Sequence, residues 1–460
     1  MKLDRRAFIE ILVGAGLGAG AGITFSPLPW KLTDDISIWT QNWPWVPVPE
    51  DGRVSHASTI CQVCPGNCGI TVRKVKDRAV KIEGTDGYPV NDGGICPLGA
   101  AGLQLLYGPW RVPGPVRRVG KRGAGKWEQI SWDQAISEVV SRLSALRSQN
   151  KPEAVTCMAS SDRGTVAQLF ARFMTAYGSP NFIGGVSADD TSRIAMSLAQ
   201  GEQASVGFDL ENAGFILSFG SGIIEGWGSP VRSIQAYGKW RSHNGNGGPT
   251  LVQIESRMSN TAAKADKWYP AKPGTEAALA LGLAHVIIKE SLYDTDFVQS
   301  ATSDFSEWRE MVLERYAPED VSRTTGVSAK EITKLARSFA RAERPLAVWG
   351  RGKGTAPGSL YECMAILSLN ALVGNMNQPG GIWVMSDDND MGWPRIPQDV
   401  VAENGLRNAR LDGAGSDAYP LAKYRPDALP KAINENPDAV QALLVHDADP
   451  YYTLLDSNEV

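Results

Sequence analysis

The sequence predicts an α/β chain in which a small cysteine-bearing N-terminal domain precedes two interleaved, doubly wound α/β domains. Three observations predict it. Three cysteines crowd into CQVCPGNCGI, residues 61–70, and a fourth follows in GGICPLG at Cys96. Downstream, short apolar runs that end in Gly, Ser or Asp alternate with segments of helical periodicity. Finally, 460 residues exceed what one compact core holds, which points to two or three domains.

The N-terminus reads MKLDRRAFIEILVGAGLGAGAGITF. Arg5 and Arg6 before an apolar Gly/Ala-rich run have the layout of a twin-arginine export signal over residues 1–30, and the other reading is an ordinary short helix preceded by basic residues. The run is too short and glycine-rich to predict a membrane span. Export would place the protein at the periplasmic face of the inner membrane. No strong A-x-A cleavage site is read before Ser26 and Pro27, so the segment is expected to stay attached as an anchor. Residues 31–54 form a Trp/Pro-rich linker, IWTQNWPWVPVPEDG at its centre, whose Trp39, Trp43 and Trp45 suit an interface.

Cys61, Cys64 and Cys68 follow C-x2-C-x3-C, and Gly66 and Gly69 let a short loop turn three thiolates toward one point. With Cys96 they make four soft ligands, the set a [4Fe-4S] cube requires. Zinc also accepts four cysteines, and an exported protein could pair them as disulfides. Cys157 in VTCMA and Cys363 in YECMAIL lie in apolar runs and are expected to be buried. A net charge of -4 argues against a nucleic-acid partner.

Beyond the cysteines, EAVTCMA, AGFILSFGSG, TLVQIES, PLAVWGRGKG and VQALLVHDAD read as strands. SWDQAISEVVSRLSAL reads as a helix capped by Ser131, and GTEAALALGLAHVIIKE as a second helix. Strand, glycine loop and helix in repetition predict parallel layers with ligands at the carboxyl ends of the strands.

Four motifs in this order carry a resemblance: the cysteine cluster, YGPWRVPGPVRRVGKRGAGKWEQISWDQAI, IESRMSNTAAKADKWYPAKPGTEAALALGLAHVII and LNALVGNMNQPGGI. Together they resemble the molybdopterin oxidoreductase superfamily, which includes formate dehydrogenases, nitrate reductases and polysulfide and thiosulfate reductases. The resemblance implies one [4Fe-4S] cluster on Cys61, Cys64, Cys68 and Cys96 in a domain at 55–110. It implies one α/β domain made of 111–185 and 345–460, and a second at 186–344. In such relatives these domains hold a molybdenum bis-pterin guanine dinucleotide. The loop after TLVQIES and the segment Pro273, Gly274 and Thr275 would hold one arm, with Glu255 and Glu276 where aspartate is commoner; the same residues could equally serve the fold alone.

Three departures qualify the implied chemistry. Leu98 stands where catalytic relatives place a lysine or arginine between cluster and pterin. The stretch GSPNFIGGVSADDTSRIAMSLAQG, where relatives supply the metal ligand, holds no cysteine; Asp189 or Asp190 could ligate molybdenum as a carboxylate and Ser187 or Ser192 as an alkoxide, although consecutive aspartates before a helix are most simply N-terminal caps. The chain also stops at DPYYTLLDSNEV, where catalytic members continue into a further domain, so a fragment is expected.

These departures make the chain similar to the non-catalytic, molybdoenzyme-like subunits of quinone-reducing respiratory complexes of sulfate reducers. That likeness implies no molybdenum, a doubtful pterin, no catalytic residue, and electron flow from periplasmic cytochrome c to menaquinone. The implied partners are a ferredoxin-like iron-sulfur subunit, a multihaem cytochrome c subunit and an integral membrane quinone-binding subunit. The alternative is a catalytic reductase of a sulfur compound or oxyanion with aspartate-ligated molybdenum.

Overall fold

The computed structural model describes residues 9, 12–18, 53–201, 204–242, 248–350, 359–386 and 393–454. Arg5, Arg6 and the tryptophans of the linker lie outside them. Among the described residues no helix is long and apolar enough to cross a membrane. The chain divides into two compact units, Met1–Arg111 and Val112–Val460.

In the first unit, β1 (Val54–Ile60), β2 (Gly69–Val75) and β3 (Arg78–Gly84) form an antiparallel meander. Two short helices, Pro97–Ala100 and Leu103–Tyr107, complete it. Its buried apolar side chains among the described residues are Cys68, Ile70, Ala79 and Val80. So thin a core stabilises little by burial alone, and a domain of this kind gains much of its folding free energy from whatever its cysteines bind.

The second unit contains two parallel sheets. One has the order β11-β10-β9-β12, made of Lys267–Tyr269, Thr250–Ile254, Phe215–Phe219 and Pro345–Val348. The other has the order β14-β6-β7, made of Ala442–His446, Val155–Ala159 and Phe182–Gly184. An antiparallel pair joins β13 (Ile382–Ser386) to β8 (Ala204–Phe208), and β4 (Val116–Arg118) pairs with β5 (Trp127–Gln129). All five strands read from the sequence are present. Both helices are present too: Trp132–Ser148, whose Ser131 and Gln134 form a capping box, and Glu276–Lys289.

The sheet pairing corrects one boundary. Pro345–Val348, expected to return to the first α/β domain, instead pairs in parallel with Phe215–Phe219 of the second. The four-residue strand PLAV is wholly buried and pairs with another wholly buried run, FILSF. The strand at 382–386 likewise pairs with 204–208, and return to the first sheet comes with Ala442–His446 beside Val155–Ala159.

β12 ends its sheet, so one side of it lacks a ladder partner. Asn370 supplies one. Its side-chain oxygen accepts the Ala347 N–H at 2.9 Å and its amide donates to the Ala347 carbonyl at 2.9 Å, with both residues fully buried. Asn370→Leu keeps the volume and orphans both backbone groups, which costs about 2–4 kcal/mol in total. Its thermal midpoint is expected to fall by several degrees; an unchanged midpoint would show that the amide does not act as the missing strand.

Candidate functional site

The cysteine loop is closed by strand register. Ile60 pairs with Gly69 at the end of the β1–β2 ladder, and the Cys61 N–H continues it to the Cys68 carbonyl at 2.8 Å. Cys61 and Cys68 are therefore the two feet of a loop whose middle holds Cys64. Asn67, at φ 48°, takes the left-handed conformation that asparagine tolerates and turns the chain back.

Cys96 arrives on a second arm, fastened by a residue that the sequence reading missed. Asn91 is fully buried; it accepts the Gly69 N–H at 2.8 Å and donates to the carbonyls of Gly69 at 3.0 Å and Gly94 at 2.7 Å. One amide thus ties the segment before Cys96 to the residue after Cys68. Gly84 lets the arms meet, because a Cβ there would lie 2.3 Å from the Gly93 carbonyl oxygen. Cys96 caps the helix Pro97–Ala100, and its Sγ accepts the Gly99 N–H at 3.4 Å.

Burial raises the Cys68 thiol pKa, and Cys64, Cys61 and Cys96 raise it further, so all four thiols share one electrostatic neighbourhood. Among the described residues no three His, Cys, Asp or Glu side chains are gathered to share a single metal ion. The donor set, four soft sulfurs on two tied arms with a backbone N–H aimed at one of them, fits a polynuclear iron-sulfur group. None of the six cysteines is in a disulfide. Cys157 and Cys363 are buried as expected, and burial pushes their thiols up to about 11 and about 12. Leu98 is exposed.

The second candidate site lies where β6 and β7 end. Ser187, rather than either aspartate, is the N-cap of the helix Ala188–Gln200. Asp190 completes its capping box, accepting the Ser187 N–H at 2.8 Å and hydroxyl at 2.7 Å. The carboxylate is 7% exposed, and its other oxygen has no hydrogen bond but sits 3.7 Å from both Arg163 and Lys423. Arg163 also pairs with Asp189, and Lys423 with Asp162 at 2.5 Å. Burial works against the Arg163 charge, yet Asp189, Asp190 and Asp162 more than offset it and its pKa is raised. Tyr424 donates to Asp162 at 3.2 Å; burial and that carboxylate raise its pKa. Ser192 accepts the Trp349 indole N–H at 2.9 Å and donates to the Ala188 carbonyl at 3.1 Å. Thus all four residues proposed as metal ligands are engaged by the protein. Arg163 and Lys423 had no motif to reveal them, since Lys423 comes from a loop distant in sequence.

Buried polar groups gather near the ends of β9 and β10, beside the loop after TLVQIES that the resemblance assigns to a dinucleotide arm. Ser221 Oγ, Ser229 Oγ and Gln253 Oε1 are buried without hydrogen-bond partners, two hydroxyls and one acceptor that fit a polar ligand. Glu255 accepts from Ser259, which caps the helix Asn260–Lys264. Gly274, at φ 79°, turns the chain into Glu276–Lys289, where Glu276 is buried in the first turn.

A cysteine-loop domain followed by parallel layers with polar strand ends defines a cofactor-carrying redox protein. The chain belongs to the molybdopterin oxidoreductase family: residues 111–443 match the molybdopterin oxidoreductase model and residues 55–108 its Fe4S4 domain. It is 33% identical to the menaquinone reductase molybdopterin-binding-like subunit of Nitratidesulfovibrio vulgaris, over 99% of this chain and 60% of that one. It is 28% identical to the thiosulfate reductase molybdopterin-containing subunit of Salmonella typhimurium, over 83% of this chain and 48% of that one. Acetylene hydratase from Pelobacter acetylenicus is a structural neighbour with a TM-score of 0.56 and 27% identity, covering 69% of this chain and 43% of the other. The chain therefore spans about half the length of the relatives it matches.

Replacing Asn91 with alanine should lower bound iron although all four cysteines remain, because the second arm loses its tie. Cys64→Ser should abolish the low-temperature paramagnetic signal of one reduced cluster, whereas Cys157→Ser should not. Full iron content in the Asn91 variant would remove it from the account of the site.

Proposed function

We propose that this chain is a non-catalytic, molybdoenzyme-like subunit of a membrane-associated respiratory complex that passes electrons from periplasmic cytochrome c to menaquinone. The observation that carries the proposal is the engagement of Asp189 and Asp190 by Arg163 and Lys423. Carboxylates already paired with cations, one of them also closing a helix cap, are poor ligands for a metal. Similarity to a menaquinone reductase subunit along 99% of the chain supports the assignment to a quinone-reducing complex.

A [4Fe-4S] cluster, when bound, supplies one-electron carriage. The chain's own residues do the rest: Cys61, Cys64, Cys68 and Cys96 hold it, Asn91 sets the spacing of the two arms, and the Gly99 N–H steadies the Cys96 sulfur. Leu98 offers neither charge nor hydrogen-bond donor for coupling to a pterin. In this reading electrons enter and leave through partner subunits: a ferredoxin-like iron-sulfur protein, a multihaem cytochrome c and an integral membrane quinone-binding subunit. Arg5 and Arg6 would direct folded protein to the periplasmic face of the inner membrane by the twin-arginine route.

The buried polar atoms of Ser221, Ser229 and Gln253 favour a second reading in which a pterin dinucleotide is retained, and with it reduction of a sulfur compound or oxyanion. Turnover separates the two. In the purified complex, the reduced cluster should be reoxidised by a menaquinone analogue and not by thiosulfate, polysulfide or nitrate, and Leu98→Lys should add no such activity. Reoxidation by any of the three in the native complex would favour the catalytic reading. Separately, changing Arg5 and Arg6 together to lysine should leave folded protein in the cytoplasm; normal periplasmic accumulation would refute the export signal.

A further inference from the structure

The helix Ala329–Ala340 buries Ile332, Leu335, Ala336 and Phe339 and turns the opposite face to solvent. On that face Lys330, Lys334, Arg337 and Arg341 recur every three or four residues, a stripe about 16 Å long at 1.5 Å per residue. The stripe forms a wall of a cleft of about 610 Å³, to which the neighbouring helix Pro318–Thr325 contributes Glu319.

The four cations are not equivalent. Arg337 is held in a two-pronged pair with Glu290, at 2.8 and 2.7 Å, and is neutralised. Lys330, Lys334 and Arg341 are exposed and have no ion pair within 4 Å among the described residues. A protein whose formal net charge is -4 thus presents three positive charges without an ion pair in one concave strip, opposed by Glu319 in the cleft lining and by Glu290, which already pairs with Arg337 and also acts on Arg341. A concave strip of one sign concentrates the field and selects partners of opposite sign.

We infer that this cleft is a docking surface for an acidic segment of a partner protein, whose carboxylates pair with Lys330, Lys334 and Arg341. Charge complementarity sets the sign of the partner, and the length of the stripe matches three turns of helix or a shorter extended segment. A lipid surface fits less well. Binding in a membrane interface needs apolar side chains to insert beside the cations, and among the described residues no exposed large hydrophobic falls between Met258 and Tyr361. The inference does not depend on the reading of the metal site and holds whether the chain is catalytic or not.

The test uses the full chain with its cluster, a fluorescent twelve-residue oligoglutamate peptide as probe, and vesicles of pure anionic phospholipid as competitor. The peptide should bind the native protein, weaken steeply with added salt, and lose about tenfold or more in affinity in the triple variant Lys330→Glu, Lys334→Glu, Arg341→Glu. Glutamine at the same three positions should give an intermediate loss. The cluster spectrum and thermal midpoint of each variant report on folding. Equal peptide affinity in folded native and charge-reversed protein would overturn the proposal, as would vesicles that bind through the same three residues more tightly than the peptide.

Discussion

A carboxylate that is nine-tenths buried has to be neutralised, and how Asp190 is neutralised decides what the second unit can do. A metal ion could supply the positive charge. Here Arg163 and Lys423 supply it, each 3.7 Å from the same oxygen, while the other oxygen closes the capping box of Ser187. Both cations are about half exposed, so each pair is individually weak in water; their combination around one buried group is what holds the loops after β6 and β7 together. Gly185 belongs to the same packing, because a Cβ there would lie 2.1 Å from the Ser160 carbonyl oxygen. The strand ends bring two cations to the one Asp190 oxygen that has no hydrogen bond.

The first unit depends on a different kind of tie. Its core is slight, and the geometry of its four thiols comes from backbone register on one arm and from the amide of Asn91 on the other. The recurring device in this fold is the buried asparagine that stands in for missing backbone partners. Asn91 joins two loops, Asn181 receives the Leu411 N–H at 2.9 Å, and Asn370 finishes the edge of β12. Each is a fixed polar group that specifies one arrangement of neighbours where apolar packing would accept several.

Much of this was legible in the sequence because it is written in local patterns. Thiol spacing, the run of FILSF or PLAV and the Ser131 cap each depend on residues within one short segment. What was not legible depends on pairing across the chain. PLAVWG reads as a buried strand in either domain, and only its partner decides which. The aspartates after GSPN read as caps, but the cap proved to be Ser187, and nothing in ADDTSR indicates that an arginine at 163 and a lysine at 423 will face it. Asn91 lies in YPVNDGG, which reads as a turn; that its amide spans two arms emerges only when both arms are in place.

The central claim is that the charge a metal would bring to Asp189 and Asp190 is already supplied by the protein. The most direct measurement is the molybdenum and tungsten content of the purified complex by mass spectrometry, counted per copy of this chain. The account predicts iron with negligible molybdenum or tungsten. One molybdenum per chain, with X-ray absorption assigning a carboxylate oxygen from Asp189 or Asp190 as a ligand, would contradict it.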